Sequence, residues 1–277
     1  YNASVAMVLD KFYGTSTKLK ELIDVCLQNG IAVILDVALN HAFGRNPMVR
    51  MWMNDPDGDG FGSATAENPY FNTVAMHSYN VGEDFNHQLP RTQNYVKRVI
   101  KQWIEEYKID GFRWDLTKGF TQNCPSGVSG GQEPCTGNYQ QDRVDVLKTY
   151  ADYSWSLDPS HYTIFEHLGG NLEEQQWANY RITETPSKGV MMWGNMNGEY
   201  GKLSKGYSGN ISGMTSSSRG FTTNRLIGYP ESHDEERLMY YNKNAGNSTN
   251  PAHNVKTLSV ALSRMSAIGA VSLLIPG

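Results

Sequence analysis

"IDGFRWD", residues 109–115, decides how the chain is read. The run is short and mostly apolar, yet it sets an arginine and an aspartate two residues apart. Buried charge is costly unless it is paired. In a strand, residues i and i+2 share a face. Arg113 and Asp115 therefore point one way, and Phe112 and Trp114 the other. Asp115 also ends the run, and the carboxyl ends of parallel strands are where barrel enzymes carry catalytic groups.

The flanking segments alternate in kind. Leu19, Leu22, Ile23, Cys26 and Leu27 recur at helical spacing within 17–29, and Gly30 follows as a stop. "IAVILDV" (31–37) predicts a strand buried on both faces. Val96, Val99, Ile100, Trp103, Ile104 and Tyr107 predict a second amphipathic helix, which leads into 109–115. A helix is expected over 141–156 and another over 254–268. Further strands are expected in "YTIFEH" (162–167), "GVMMW" (189–193) and "RLIGYPESHD" (225–234). The Gly/Ser-rich stretch 206–220 predicts a loop. Strands alternating with helices of this length imply parallel β/α units, an α/β fold. The polar stretch 42–90 is too long for an ordinary connection. It predicts either an inserted, loop-rich small domain or a functional loop, between the segments 1–41 and 91–277.

The bulk properties exclude several classes. A net charge of −4 with no basic block argues against a nucleic-acid partner. No apolar run approaches the ~20 residues that cross a bilayer. Hydrophobic residues at 39% and charged residues at 19% fit a globular chain. Cys26 falls on a helical apolar stripe and is expected to pack there. Cys124 and Cys135 bracket "CPSGVSGGQEPC", either as a disulfide made in an oxidising compartment or as two loop thiols.

Carboxylates recur at the ends of the expected strands. Asp36 precedes Asn40 and His41, Asp115 ends the opening run, Glu166 precedes His167, and Asp234 follows His233. One such ending is commonly a cap or a turn. Four on one rim raise one another's pKa and cost stability, which points to acid–base chemistry or metal binding. Seven histidines with no close Cys/His spacing argue against zinc. "DPDGDG" offers Asp55, Asp57 and Asp59 at alternating positions with Gly60 for the turn. It is either a calcium loop, lacking the acid at its twelfth position (Ala66), or a solvated acidic turn.

"DVALNH" (36–41), "GFRWD" (111–115), "FEH" (165–167) and "SHD" (232–234), in this order, resemble the four short motifs of the α-amylase family of glycoside hydrolases. The resemblance implies a (β/α)8 TIM-type barrel. The chain would carry it incompletely, about strands 3 to 7, with an irregular insertion after the third. A piece of a longer protein is expected, poorly stable and inactive by itself. The resemblance implies that Asp115 is the nucleophile, Glu166 the general acid/base and Asp234 the third carboxylate. Arg113 would keep Asp115 ionised and oriented, and Glu166 would be desolvated and raised. Their carboxyl groups would lie ~5–5.5 Å apart for retaining chemistry. His41 and His233 would bond the sugar, Tyr1 would stack on it, and Lys118 would contact it on the leaving side. His167 is a further candidate for sugar contact.

Asn40 and Asp84 match expected calcium ligands, with Gly119 where many relatives have a histidine. Ser232 stands where the fourth motif usually has Asn. The implied reaction is retaining hydrolysis of α-1,4-glucosidic bonds in starch-like α-glucans, with Ca2+ and no organic cofactor. Transglycosylation by a branching enzyme of the same family is the alternative, and a non-catalytic sugar-binding relative ranks behind both. A polymeric substrate and a Cys124–Cys135 bridge would favour a secreted or periplasmic protein.

Overall fold

The computed structural model describes residues 5–79, 81–125 and 134–275. Tyr1 lies outside them. The chain forms two compact units, one reaching to Val190 and the other starting at Met191.

In the first unit, α1 (Ser16–Gln28) starts at Thr15, whose side chain accepts the Lys18 N–H. β1 (Ile34–Val37) and β2 (His41–Ala42) follow. α2 (Pro47–Arg50) has Asn46 as its cap and proline in its first turn, where no N–H is needed. β3 (Met53–Asn54), β4 (Ser63–Ala64) and β5 (Glu83–Asp84) are two-residue strands. β2 pairs antiparallel with β5, and β3 with β4. The segment 42–90 thus builds two small ribbons over a cluster of Ala42, Val49, Ala64, Phe71 and Phe85.

α3 (Pro90–Lys101) buries Val96, Val99 and Ile100, as their spacing predicts. It runs on through a π-helical turn (Gln102–Glu106) towards β6 (Gly111–Trp114). A 3-10 turn (Thr117–Phe120) and α4 (Pro134–Gly137) lead to α5 (Gln141–Leu157). β7 (Tyr162–Phe165) and α6 (Asn171–Ala178) follow.

β1, β6 and β7 pair in parallel, with Asp36 opposite Arg113 and Arg113 opposite Ile164. Gly111 is required at the start of β6. A Cβ there would lie 2.5 Å from Ile34 Cδ1 and 2.6 Å from Tyr162 Cβ. On the face away from Arg113, Trp114 stacks on Tyr150 of α5 with centroids 5.6 Å apart, and Phe112 is buried beside it. Cys124 and Cys135 are disulfide-bonded.

Two expectations need correction. β1 is not buried on both faces: only Val37 of the strand is buried, and Ile34 is exposed. Its only strand partner among the described residues is β6, so one edge of it stays bare. The helix over 17–29 forms as expected, but only Ile23 of its stripe is buried, and Leu22 and Leu27 are exposed. Cys26 is therefore half-buried and not a core residue.

In the second unit, β8 (Met191–Asn195) pairs in parallel with β9 (Leu226–Tyr229). α7 (Asn197–Ser204), α8 (Leu238–Ala245) and α9 (Leu258–Leu274) share a cluster of Tyr200, Leu238 and Ile268, joined by Met214. The expected loop 206–220 contains two 3-10 turns, at Ser212–Met214 and Ser217–Arg219. α9 begins later than expected, because a separate 3-10 turn at Pro251–His253 precedes it. Among the described residues, no helix is long and apolar enough to cross a membrane.

Candidate active site

The parallel ladder carries one step beyond the strands. Asp115 N–H donates to the Val37 carbonyl at 2.9 Å, and Glu166 N–H donates to the Trp114 carbonyl at 3.0 Å. Both acids are thereby held by backbone at the carboxyl end of the sheet. Leu116 then turns left-handed, with φ +46°. That costs a residue with a Cβ about 1–2 kcal/mol, and it aims the Leu116 N–H at Glu166 Oε2, 2.8 Å away. Thr117 follows, and its N–H and hydroxyl both donate to the Glu166 carbonyl at 3.0 Å.

Arg113 gathers the acids. Its Nη1 donates to Asp36 Oδ1 at 2.8 Å and to Asp115 Oδ1 at 2.7 Å, and its Nη2 lies 3.1 Å from Glu166 Oε2. Burial alone would lower the guanidinium pKa. The charges of Glu166 and Asp36 and the hydrogen bonds to Asp115 and Asp36 outweigh it and push the pKa up. The arginine side chain is 4% exposed, whereas those of Asp115 and Glu166 are 12% and 13% exposed. The cation is sealed in, and the carboxylates keep an opening to solvent.

The remaining candidates occupy varied places. His41 is buried, paired through Nδ1 with Asn40 Oδ1 and set edge-on to Phe43. Lys118 Nζ lies 5.1 Å over the Tyr79 ring and 3.4 Å from its hydroxyl. His167 does not reach a surface that a sugar could touch. It is 1% exposed, with Nδ1 3.1 Å from the Thr117 hydroxyl and Nε2 3.1 Å from Glu173 Oε2. Burial pushes its pKa down to about 4. In this structure it packs between Thr117 and Glu173.

Sequence reasoning passed over Glu173 and Arg143. Arg143 is fully buried, donates to both Glu173 oxygens at 2.7 and 2.6 Å, and reaches the carbonyls of Lys118, Thr136 and Asn138. Burial alone would raise the Glu173 carboxyl. Hydrogen bonds from His167 and Arg143 outweigh it and hold the group down at about 2.

His233 and Asp234 belong to the second unit, on the turn after β9. They are exposed, with Nε2 and Oδ2 3.3 Å apart. Ser232 organises that turn: its hydroxyl accepts the Asp234 N–H at 3.2 Å and donates to Glu235. Glu235, another residue the motif reading missed, also receives Ser232 N–H at 2.9 Å and the Asn195 amide.

Of the two calcium candidates, Asp55, Asp57 and Asp59 bring carboxylate oxygens within 4.8 Å of one another. Asp55 also accepts Gly60 N–H, and Asp59 accepts Phe61 N–H. Asp84 is different, because N–H groups already face both of its oxygens: Asn72 and Met76 on one, His77 on the other.

No family model matches the sequence. Over 128 residues the chain is 30% identical to a maltogenic alpha-amylase of Bacillus acidopullulyticus, covering 42% of this chain and 21% of that protein. Over 169 residues it is 31% identical to a 1,4-alpha-glucan-branching enzyme of Equus caballus, covering 57% and 22%. Amy13B of Eubacterium rectale superposes on 99% of the chain with a TM-score of 0.64 at 18% identity, using 53% of its own length. The chain thus spans about a fifth of these curated relatives and about half of that solved structure. In sequence the chain is thus similar to part of enzymes that belong to the α-amylase family of glycoside hydrolases, and in fold to part of a solved amylase-family structure.

Proposed function

We propose that the protein is a retaining hydrolase of α-1,4-glucosidic bonds in starch-like α-glucans. The observation that carries this reading is the single buried guanidinium of Arg113 gripping both Asp115 and Glu166 at adjacent strand ends. Glycoside cleavage with retention needs two carboxyl groups ~5–5.5 Å apart, one attacking carbon and one handling the leaving-group proton. Asp115, fixed by Arg113, attacks the anomeric carbon. Glu166, steered by the Leu116 N–H, gives its proton to the departing oxygen and later takes one from water. With Glu166 carrying its proton, the carboxylates of Asp36 and Asp115 still outnumber the one arginine, and that surplus negative charge suits an oxocarbenium-like transition state. Asp234 serves as the third carboxylate by its place in "SHD", and His41, His233 and Lys118 contact sugar on the same basis.

The parallel β/α array corresponds, on this reading, to strands 3 to 7 of a (β/α)8 barrel. Secretion fits a polymeric substrate and a bridged loop. Calcium, if held, is to be sought at Asp55, Asp57 and Asp59, whose oxygens are the donors that ion takes.

A transferase reaction, with a sugar hydroxyl replacing water, is the second reading, favoured by the likeness to a branching enzyme. Amylose given to the intact protein tests both. First-formed reducing ends are expected as α-anomers by NMR, with Asp115→Asn slower by about 10⁴-fold or more. New α-1,6 linkages without reducing ends indicate the transferase. β-Anomers, or an unimpaired Asp115→Asn protein, sink the assignment.

A further inference from the structure

We propose that the imidazole of His77 stands where a calcium ion would otherwise tie the 42–90 segment to the end of β1, and that this junction binds no metal. Asn40 and Asp84 were the side chains expected to ligate there. Both are buried, at 0% and 3% exposed, and so is His77, at 1%. Asp84 sits opposite His41 in the β2–β5 ribbon, so its carboxylate lies where the inserted segment meets the chain leaving β1.

The donors around it do not fit an ion. His77 Nδ1 accepts the Tyr79 N–H at 3.1 Å, so the ring proton is on Nε2 and points at Asp84 Oδ1, 3.0 Å away. Asp84 Oδ2 accepts from Asn72 Nδ2 at 2.6 Å and from Met76 N at 3.3 Å. The Asn40 side-chain oxygen faces His41 instead. Calcium asks for six to eight oxygens at 2.3–2.6 Å. Here the two acidic oxygens meet three N–H donors.

Space agrees with chemistry. A Cβ on Gly119 would come within 2.4 Å of Asn40 Nδ2 and 3.1 Å of His77 Nε2. Gly119, Asn40 and His77 therefore fill the volume between them. The ring is also anchored from both neighbours. Met76 offers its carbonyl to Cys124 N–H at 3.2 Å, and Ser78 N–H donates to Thr136 Oγ1 at 3.0 Å. Cys124 and Thr136 thus hold the chain on either side of His77 against Asp84. The proposal does not depend on the hydrolase reading, because its readouts are melting and metal content.

The test uses the intact protein carrying Asp57→Asn and Asp59→Asn, so that ions at the exposed acidic turn do not contribute. Its melting temperature is expected to be the same in excess chelator and in millimolar calcium, with no calcium found after dialysis. On that background, His77→Ala is expected to melt about 5 °C lower. His77→Gln, which keeps an N–H donor, is expected to recover part of the loss. The proposal is overturned if chelator lowers the melting temperature, if calcium is retained, or if His77→Ala melts like its parent. Should His77→Ala fail to fold, the chelator and His77→Gln measurements still decide.

Discussion

Arg113 and Arg143 are both nearly sealed from solvent, at 3% and 0% exposed, but their surroundings differ. Arg143 faces one carboxylate, Glu173, and gives its other hydrogens to three backbone carbonyls on two segments. Charge and hydrogen bonds are both matched, and nothing is left over to do chemistry. Arg113 faces Asp36, Asp115 and Glu166, so acids outnumber the cation. A buried arginine with matched partners joins segments. One with surplus carboxylates, open on their side to water, is what the proposed function uses against a substrate.

Breaking each arginine in turn separates these roles. Arg143→Met leaves Glu173 buried without its cation and is expected to lose about 3–5 kcal/mol, read as a large drop in the urea midpoint. Stability close to the parent's would remove the contrast. Arg113→Lys keeps the charge but not the planar fork that spans two acids. We expect kcat/KM on soluble starch to fall about 10²-fold while the melting temperature moves by only about 2 °C. An equal loss of stability in the two variants would mean that both clusters are structural.

Acid sharpens the comparison. Burial lowers the pKa of His87 to about 3 and those of His161 and His167 to about 4. Unfolding exposes them, and each then takes up a proton below its ordinary pKa of about 6.5. The folded state is therefore at full strength above that pH. It weakens as the pH falls towards 4, by up to about 1.4 kcal/mol per pH unit for each histidine. Glu173, held at about 2, adds a further loss below its ordinary range. Urea titrations at pH 7.5, 6 and 5 should show this slope. His161→Phe, beside Phe112, should flatten it by about a third. A flat profile would show that these rings are not held neutral. The smallest effect is expected at Ser232→Ala, about 1 kcal/mol, from losing the hydroxyl that links Asp234 N–H to Glu235. Ser232→Asn, the residue common in that motif, should be tolerated.

The readable parts of the sequence were those with a local period. The two-residue spacing of Arg113 and Asp115 showed a shared face. The helix stripes at 17–27 and 96–107 located α1 and α3, and apolar runs located β6 to β9. The period could not say what would cover a stripe, so the exposure of Leu22 and Ile34 went unseen. A signal for the burial of His167 was present. Neighbours along an extended chain point to opposite faces, so if Glu166 meets Arg113, His167 turns away from it. His77, Arg143 and Glu173 carried no such signal. Asp84 is seven residues from His77, and Glu173 is thirty from Arg143, with most of α5 and all of β7 between them. Such pairings come from tertiary folding, which spacing does not encode.

Leu116 carries a consequence for directed evolution. Its left-handed backbone suits glycine or asparagine better than leucine. A library selected for heat resistance alone is expected to enrich those residues at 116. Glycine in particular would slacken the turn that presents the N–H to Glu166. Ranking variants by melting temperature would then reward the wrong winners, and position 116 is one to hold fixed while the rest of the chain is varied.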